Sequence, residues 1–178
     1  MAETNVTSRV LHDVGLAAWF GGTLANAVAL NAASAAVRDP HEAGTVSNVG
    51  WDRWTPVNAV AIGAHLVGSV GQLAGNRSRL GTQSGVATMA IVKTGLTVGA
   101  LAATGWSRLA GRTVSEQTDV PVAGATESHP ATPPAVAKAQ RQLKFLQWAV
   151  PALTGALVAV SAFAGEQQRP AAVLKGLG

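Results

Sequence analysis

The sequence predicts an all-α fold, a transmembrane four-helix bundle with one long polar loop between spans three and four, and three observations carry that expectation. Four apolar runs, at about 10–37, 56–76, 85–107 and 143–165, each meet the ~20 residues a helix needs to cross a hydrocarbon core. Charged residues make up 12% of the chain, against about 25% in soluble domains, and they crowd between the runs. No charge lies between Asp13 and Arg38 or between Arg53 and Arg77, so these helices lack the charged face that a soluble amphipathic helix carries along its length. Mean hydropathy is only +0.25 because the runs are built from Ala, Gly, Val and Leu. Small residues of this kind let membrane helices approach closely.

Span one begins near Arg9 and stops before Arg38-Asp39-Pro40, where charge and proline end a helix. A small-residue stretch from Asn31 to Ala35 is compatible with signal cleavage, but the head of the chain has no net positive region and the apolar run is too long for a leader. A polar loop carrying Trp51 and Trp54 follows. Span two is expected to open on Pro56, whose missing N–H is harmless in a first turn, and to end at Gly75-Asn76. The short link with Arg77 and Arg79 makes spans two and three antiparallel neighbours. Gly71/Gly75 and Gly95/Gly99 are candidate close contacts between helices.

Span three ends near Trp106. Residues 112–136 are rich in Thr, Ser, Glu, Gly and Pro, a composition that predicts a flexible loop. A basic run, Lys138, Arg141 and Lys144, leads into span four, which contains Pro151. The whole chain, 1–178, reads as a single membrane domain.

Four spans place both ends of the chain on one face, side A. On this assignment Trp51, Trp54, Trp106 and Trp148 all fall at the opposite boundary, side B, as an interfacial belt. Side B holds Arg38, Arg53, Arg108, Arg112, Lys138, Arg141 and Lys144; side A holds Arg9, Arg77, Arg79, Arg169 and Lys175. That difference leaves the orientation open under the positive-inside rule.

Helical spacing aligns polar and small residues into one stripe per span. Span one contributes His12, Gly15, Trp19, Gly22 and Asn26; span two contributes Asn58, Ile62, His65, Ser69 and Gln72. The others contribute Lys93, Thr97, Ala100 and Thr104, then Gln147, Pro151, Thr154 and Ser161. The intramembrane polar cluster to watch is Lys93, Asp13, His65, His12, Asn26, Asn58 and Gln72. Lys93 is the sharpest member, because a lysine in mid-span costs at least about 2.5 kcal/mol. Its depth allows it to pair with Asp13, or its stem snorkels towards side A.

Little chemistry accompanies these residues. The chain has no cysteine, which excludes disulfides and thiolate metal sites. No nucleophile elbow, P-loop or paired carboxylates occur within a span, so no catalytic residue and no enzyme activity are expected. His12 and His65 invite a bis-imidazole haem, but their expected depths differ by about 12–15 Å. His41 and His129 have no ligand spacing, so neither a cofactor nor a metal is expected. The pI of 10.4 comes from charges flanking the spans, a pattern that serves topology and lipid head groups and not nucleic acid.

The pattern His12-x-x-Gly15-Leu16-x-x-Trp19-Phe20-Gly21-Gly22, with Trp54-Thr55-Pro56-Val57-Asn58, Ala61-Ile62-Gly63-Ala64-His65-Leu66 and Lys93-Thr94, resembles a four-span integral membrane protein family of high-GC actinobacteria. The resemblance implies four spans and brings no activity with it. Trp19-Phe20-Gly21-Gly22 is also similar to small membrane families linked to copper or haem. The copper kind implies Met and His pairs, whereas this chain has only Met1 and Met89.

The function expected from these features is that of a non-enzymatic accessory or interaction subunit of an assembly in the inner (plasma) membrane. Its partners would be the lipid bilayer and either other membrane proteins or further copies of the chain. The alternative is a small proton-linked or solute transporter using Lys93, Asp13 and His65.

Overall fold

A computed structural model describes residues 5–77, 84–117 and 119–167. Four long helices account for nearly all of them: α1 (Val6–Ala35), α2 (Pro40–Gly75), α3 (Ser84–Ser115) and α4 (Pro134–Gln167). All four are long and apolar enough to cross a membrane, and the chain is a multi-pass membrane protein with an all-α, four-helix architecture. The link with Arg79 and the tail with Arg169 and Lys175 lie outside the described residues.

Three of the helices continue well past their apolar runs on side B. Helix α2 starts at Pro40 and not at Pro56. The Asp39 side chain accepts from the His41 N–H at 2.9 Å, Pro40 occupies the first turn and Glu42 follows it, which together make a stronger start than Pro56 offers. Pro56 therefore lies inside the helix. At 1.5 Å per residue, residues 40–55 add about 24 Å of helix, and α3 and α4 are extended over 108–115 and 134–142.

These extensions build a second core outside the apolar runs. Ala43, Ala110, Val114, Val136 and Ala139 pack there around Val122 of the loop 116–133. The composition of that loop predicts flexibility, yet its contacts pin it. The Val122 N–H bonds Pro40 O at 3.1 Å, and the Ala125 N–H donates to Ser34 Oγ at 2.9 Å. Buried Gln140 donates from Nε2 to Gly124 O at 2.9 Å, and Val122 forms an antiparallel bridge with Ser128. Val122 and Ala125 are few enough to be hidden within a polar composition, but their burial closes the side B end of the bundle.

Inside the apolar runs the core is Trp19, Ala61, Ala100 and Val150. Helix α1 packs along α2 and along α4, and α3 along α4, whereas α2 and α3 barely touch. The α1–α2 contact is set by glycine. Added Cβ atoms at Gly15, Gly68 and Gly71 would run into Ala61 and His65, into Ser8 and His12, and into Ser8. Gly71 thus marks a contact as its spacing suggests, and Gly75 sits against Asn5. Gly95 faces open space, and Gly99 only touches Leu153.

Candidate functional site

The glycine register decides where the polar residues meet. Because Gly68 lies on the backbone of His12 and Gly15 on that of His65, the two imidazoles come face to face. Their ring centroids are 4.6 Å apart at a 49° tilt, and the residues are 1% and 0% exposed. The expected depth difference of about 12–15 Å is thus corrected. Asn5 and Gly75 are level, so His12 stands seven residues in from that level and His65 ten, an offset of about 4.5 Å along the helices. Rings in direct contact also leave no gap for a macrocycle between them.

The hydrogen bonds fix a consistent tautomer for each ring. His12 donates from Nδ1 to Asp13 Oδ1 at 2.7 Å, which leaves Nε2 as an acceptor. That Nε2 is buried and has no partner among the described residues. His65 directs Nδ1 to the His12 carbonyl at 3.4 Å, so its Nε2 accepts from the Thr97 hydroxyl, also at 3.4 Å. A buried acceptor nitrogen with no donor opposite it is a costly arrangement.

Asp13, expected to pair with Lys93, pairs with His12 instead and is 59% exposed. Lys93 is half-buried, makes no ion-pair contact among the described residues, and acts on Asp13, His12 and His65 from a distance. Arg9 is the remaining charge that acts on the pair. The cluster thus draws on α1 (Arg9, His12, Asp13), α2 (His65) and α3 (Thr97, Lys93).

Trp19 lies on the other side of the pair. Fully buried, its ring centroid is 6.0 Å from that of His65, and its Nε1 donates to Thr104 Oγ1 at 3.3 Å. Thr104 in turn lines a cavity of about 260 Å³. Helices α2 and α3 form its walls, α1 and α4 its back, and Ala125 and Thr126 of the loop its end. Asn31 knits the back of this cavity together, donating to Gln147 Oε1 at 2.7 Å and accepting from Trp51 Nε1 at 3.3 Å.

The other sequence-marked residues divide between these two places. Trp106 and Trp148 face outward, as a belt requires, whereas Trp51 and Trp54 turn inward and line the cavity. Gly22 makes room for the Trp54 ring. Asn58 also lines the cavity, and its Oδ1 and the Trp54 Nε1 are buried without partners among the described residues. Gln72 lies towards side A with Nε2 buried and without a partner among the described residues. Asn26 opens a π-helical turn, Asn26–Leu30; Ala27 takes the buried position, four residues on from buried Thr23, and Asn26 is half-exposed. Such turns often mark functional sites, and no residue type announces them. The loop that closes the cavity carried no signal beyond Val122 and Ala125. In comparisons with known proteins, no family model, curated protein or solved structure matches the chain.

Proposed function

We propose that the chain is a small proton-linked carrier of the plasma membrane that works without chemical transformation of its solute. The observation that carries this reading is the buried His12–His65 pair. It connects through Asp13 to side A, and through Trp19 and Thr104 to a cavity that reaches side B. Proton acceptors buried at span depth are expensive, and a pair with one unpartnered nitrogen gives a proton a place to stop. Protonation there would set an imidazolium against the second ring, within the field of Lys93. The Trp19 indole, between the pair and the cavity, would register that change.

The test is reconstitution of the full chain into liposomes containing a pH-sensitive dye, with a potassium diffusion potential as the driving force. Proton entry above the protein-free leak is expected for the native chain, and entry at the leak rate for His12→Asn and for His65→Gln. Equal rates in native and variant chains, with equal amounts inserted, would remove the proton role.

A second reading, an accessory or interaction subunit, is favoured by α3, where only 6% of the apolar window is buried within the chain. Most of that helix is left for lipid or for neighbouring helices. Purification in mild detergent tests it, and recovery of the chain as a lone monomer counts against it.

A further inference from the structure

The α2–α3 seam is where this bundle departs from a closed one. The helices pack in the order α2, α1, α4, α3, and the last side is nearly unpacked. Both helices of that side line the 260 Å³ cavity, from Ile62 within the apolar runs to Ser47 and Ser115 on side B beyond them. Its lining is graded along the membrane normal. Ile62, Leu146 and Val150 line the deep part together with Asn58 and Thr104, Arg108 and Asp52 stand at the side B boundary, and Ser47, Ser115 and Thr126 lie beyond them.

The two boundary charges are not equivalent. Asp52 is exposed, whereas Arg108 is half-buried and has no ion-pair partner among the described residues. A half-buried guanidinium at the mouth of an apolar slot suits a carboxylate or phosphate, which it can bind in bidentate fashion. The volume lies just below the ~300 Å³ floor for drug-sized ligands, so the slot holds part of one acyl chain, the rest of which extends into the bilayer, and has no room for two.

We infer that this cavity binds a single-chain anionic amphiphile, a long-chain carboxylate, which enters sideways from the bilayer between α2 and α3 and sets its head on Arg108. The inference rests on the carrier reading for its role in transport, since it names the solute of that carrier. The binding itself is measured without transport.

The experiment uses the purified full chain in nanodiscs, with Trp106→Phe and Trp148→Phe introduced to remove the two outward-facing indoles. Trp19, Trp51 and Trp54 then report on the cavity and its neighbour. Titration with 9,10-dibromostearate should quench them saturably. Gly111→Leu fills space beside the seat of the head, one turn past Arg108, at a lining position where an added Cβ meets nothing within 4 Å; it should block that seat and abolish saturable quenching while the unfolding midpoint is retained. Arg108→Gln should weaken binding about tenfold or more, as loss of a charged hydrogen bond implies.

A brominated monoacylglycerol should bind more weakly than the acid. A brominated two-chain phosphatidylglycerol should not saturate the site. Quenching that is linear, is indifferent to Gly111→Leu, or is equally strong with phosphatidylglycerol overturns the inference. The two proposals fail separately. Saturable binding with no proton flux leaves the site and removes the carrier, whereas proton flux without binding does the reverse.

Discussion

Replacing Gly68 with alanine puts a methyl group into the backbone of α1. The added Cβ would lie 2.5 Å from Ser8 O and 2.7 Å from His12 Cα, and it would also strike His12 N; ordinary contact begins at 3.4 Å. No side-chain rotation relieves this, because the obstacles are backbone. The helices must move apart by about 1 Å at the crossing to clear His12 N, the nearest obstacle. A gap of 0.5–1 Å already forfeits a quarter to a half of each dispersion contact, and packing is the main force holding membrane helices together.

Overpacking of this kind costs about 1–3 kcal/mol, partly offset by the ~1 kcal/mol that alanine gains over glycine in a helix. The sharper quantity is the difference from Gly63→Ala, where the new Cβ meets nothing within 4 Å and only the helix gain applies. The two variants should differ by about 2 kcal/mol, roughly 30-fold in the folded-to-unfolded ratio. Reversible unfolding in mixed micelles titrated with sodium dodecyl sulfate, followed by tryptophan fluorescence, measures it. If Gly68→Ala proves as stable as Gly63→Ala, the glycine-set register is wrong, and so is the reason His12 and His65 meet.

Three further outcomes are expected. Ser34→Ala leaves the buried Ala125 N–H without its acceptor, at a cost of about 1–3 kcal/mol, and limited proteolysis should cut the loop 116–133 faster; an unchanged cleavage rate would mean that this bond does not hold the loop. Asn31→Leu breaks its bonds to Gln147 and Trp51, each worth about 0.6–2 kcal/mol between membrane helices. Its unfolding midpoint should fall below that of the native chain, and an equal midpoint refutes the clamp. Lys93→Met removes the mid-span cation that acts on both histidines. Proton entry in the liposome assay should change at equal insertion, and an unaltered rate assigns Lys93 to mere tolerance.

The spans were legible because membrane crossing imposes a coarse, contiguous requirement on about 20 residues. The helix extensions on side B were not, because their apolar face is thin. Ala43, Ala110 and Ala139 are buried against one another and against Val122 in stretches whose remaining residues are polar. The inward stripes held their period from His12 to Trp19 and from Thr97 to Thr104, but in span one the buried position moves on by one residue at Thr23, ahead of the π turn, and Ala27 follows it. Tryptophan was ambiguous for a different reason. An amphipathic ring suits both a lipid boundary and a cavity wall, and Trp54 became wall because Gly22 leaves it room. Depth along a helix was least legible, since it is set by which glycines meet which backbone and not by where an apolar run begins.

The two proposed sites follow from one asymmetry in packing. Glycine lets α1 and α2 close until His12 and His65 touch, and nothing comparable joins α2 to α3. The tight half therefore holds polar groups that need a fixed partner geometry in a medium that supplies none. The loose half holds space. Trp19 belongs to both, packed near His65 on one side and bonded to Thr104 on the other, and Thr97 and Thr104 lie two turns apart on the same face of α3. A charge placed on His12–His65 would act first on Thr97 and Lys93 of α3, the helix with the fewest contacts to resist it. Any displacement of α3 changes the width of the α2–α3 seam. Coupling between proton and solute then requires no long pathway, only that the least-packed helix carry one wall of the cavity and one partner of the histidine pair.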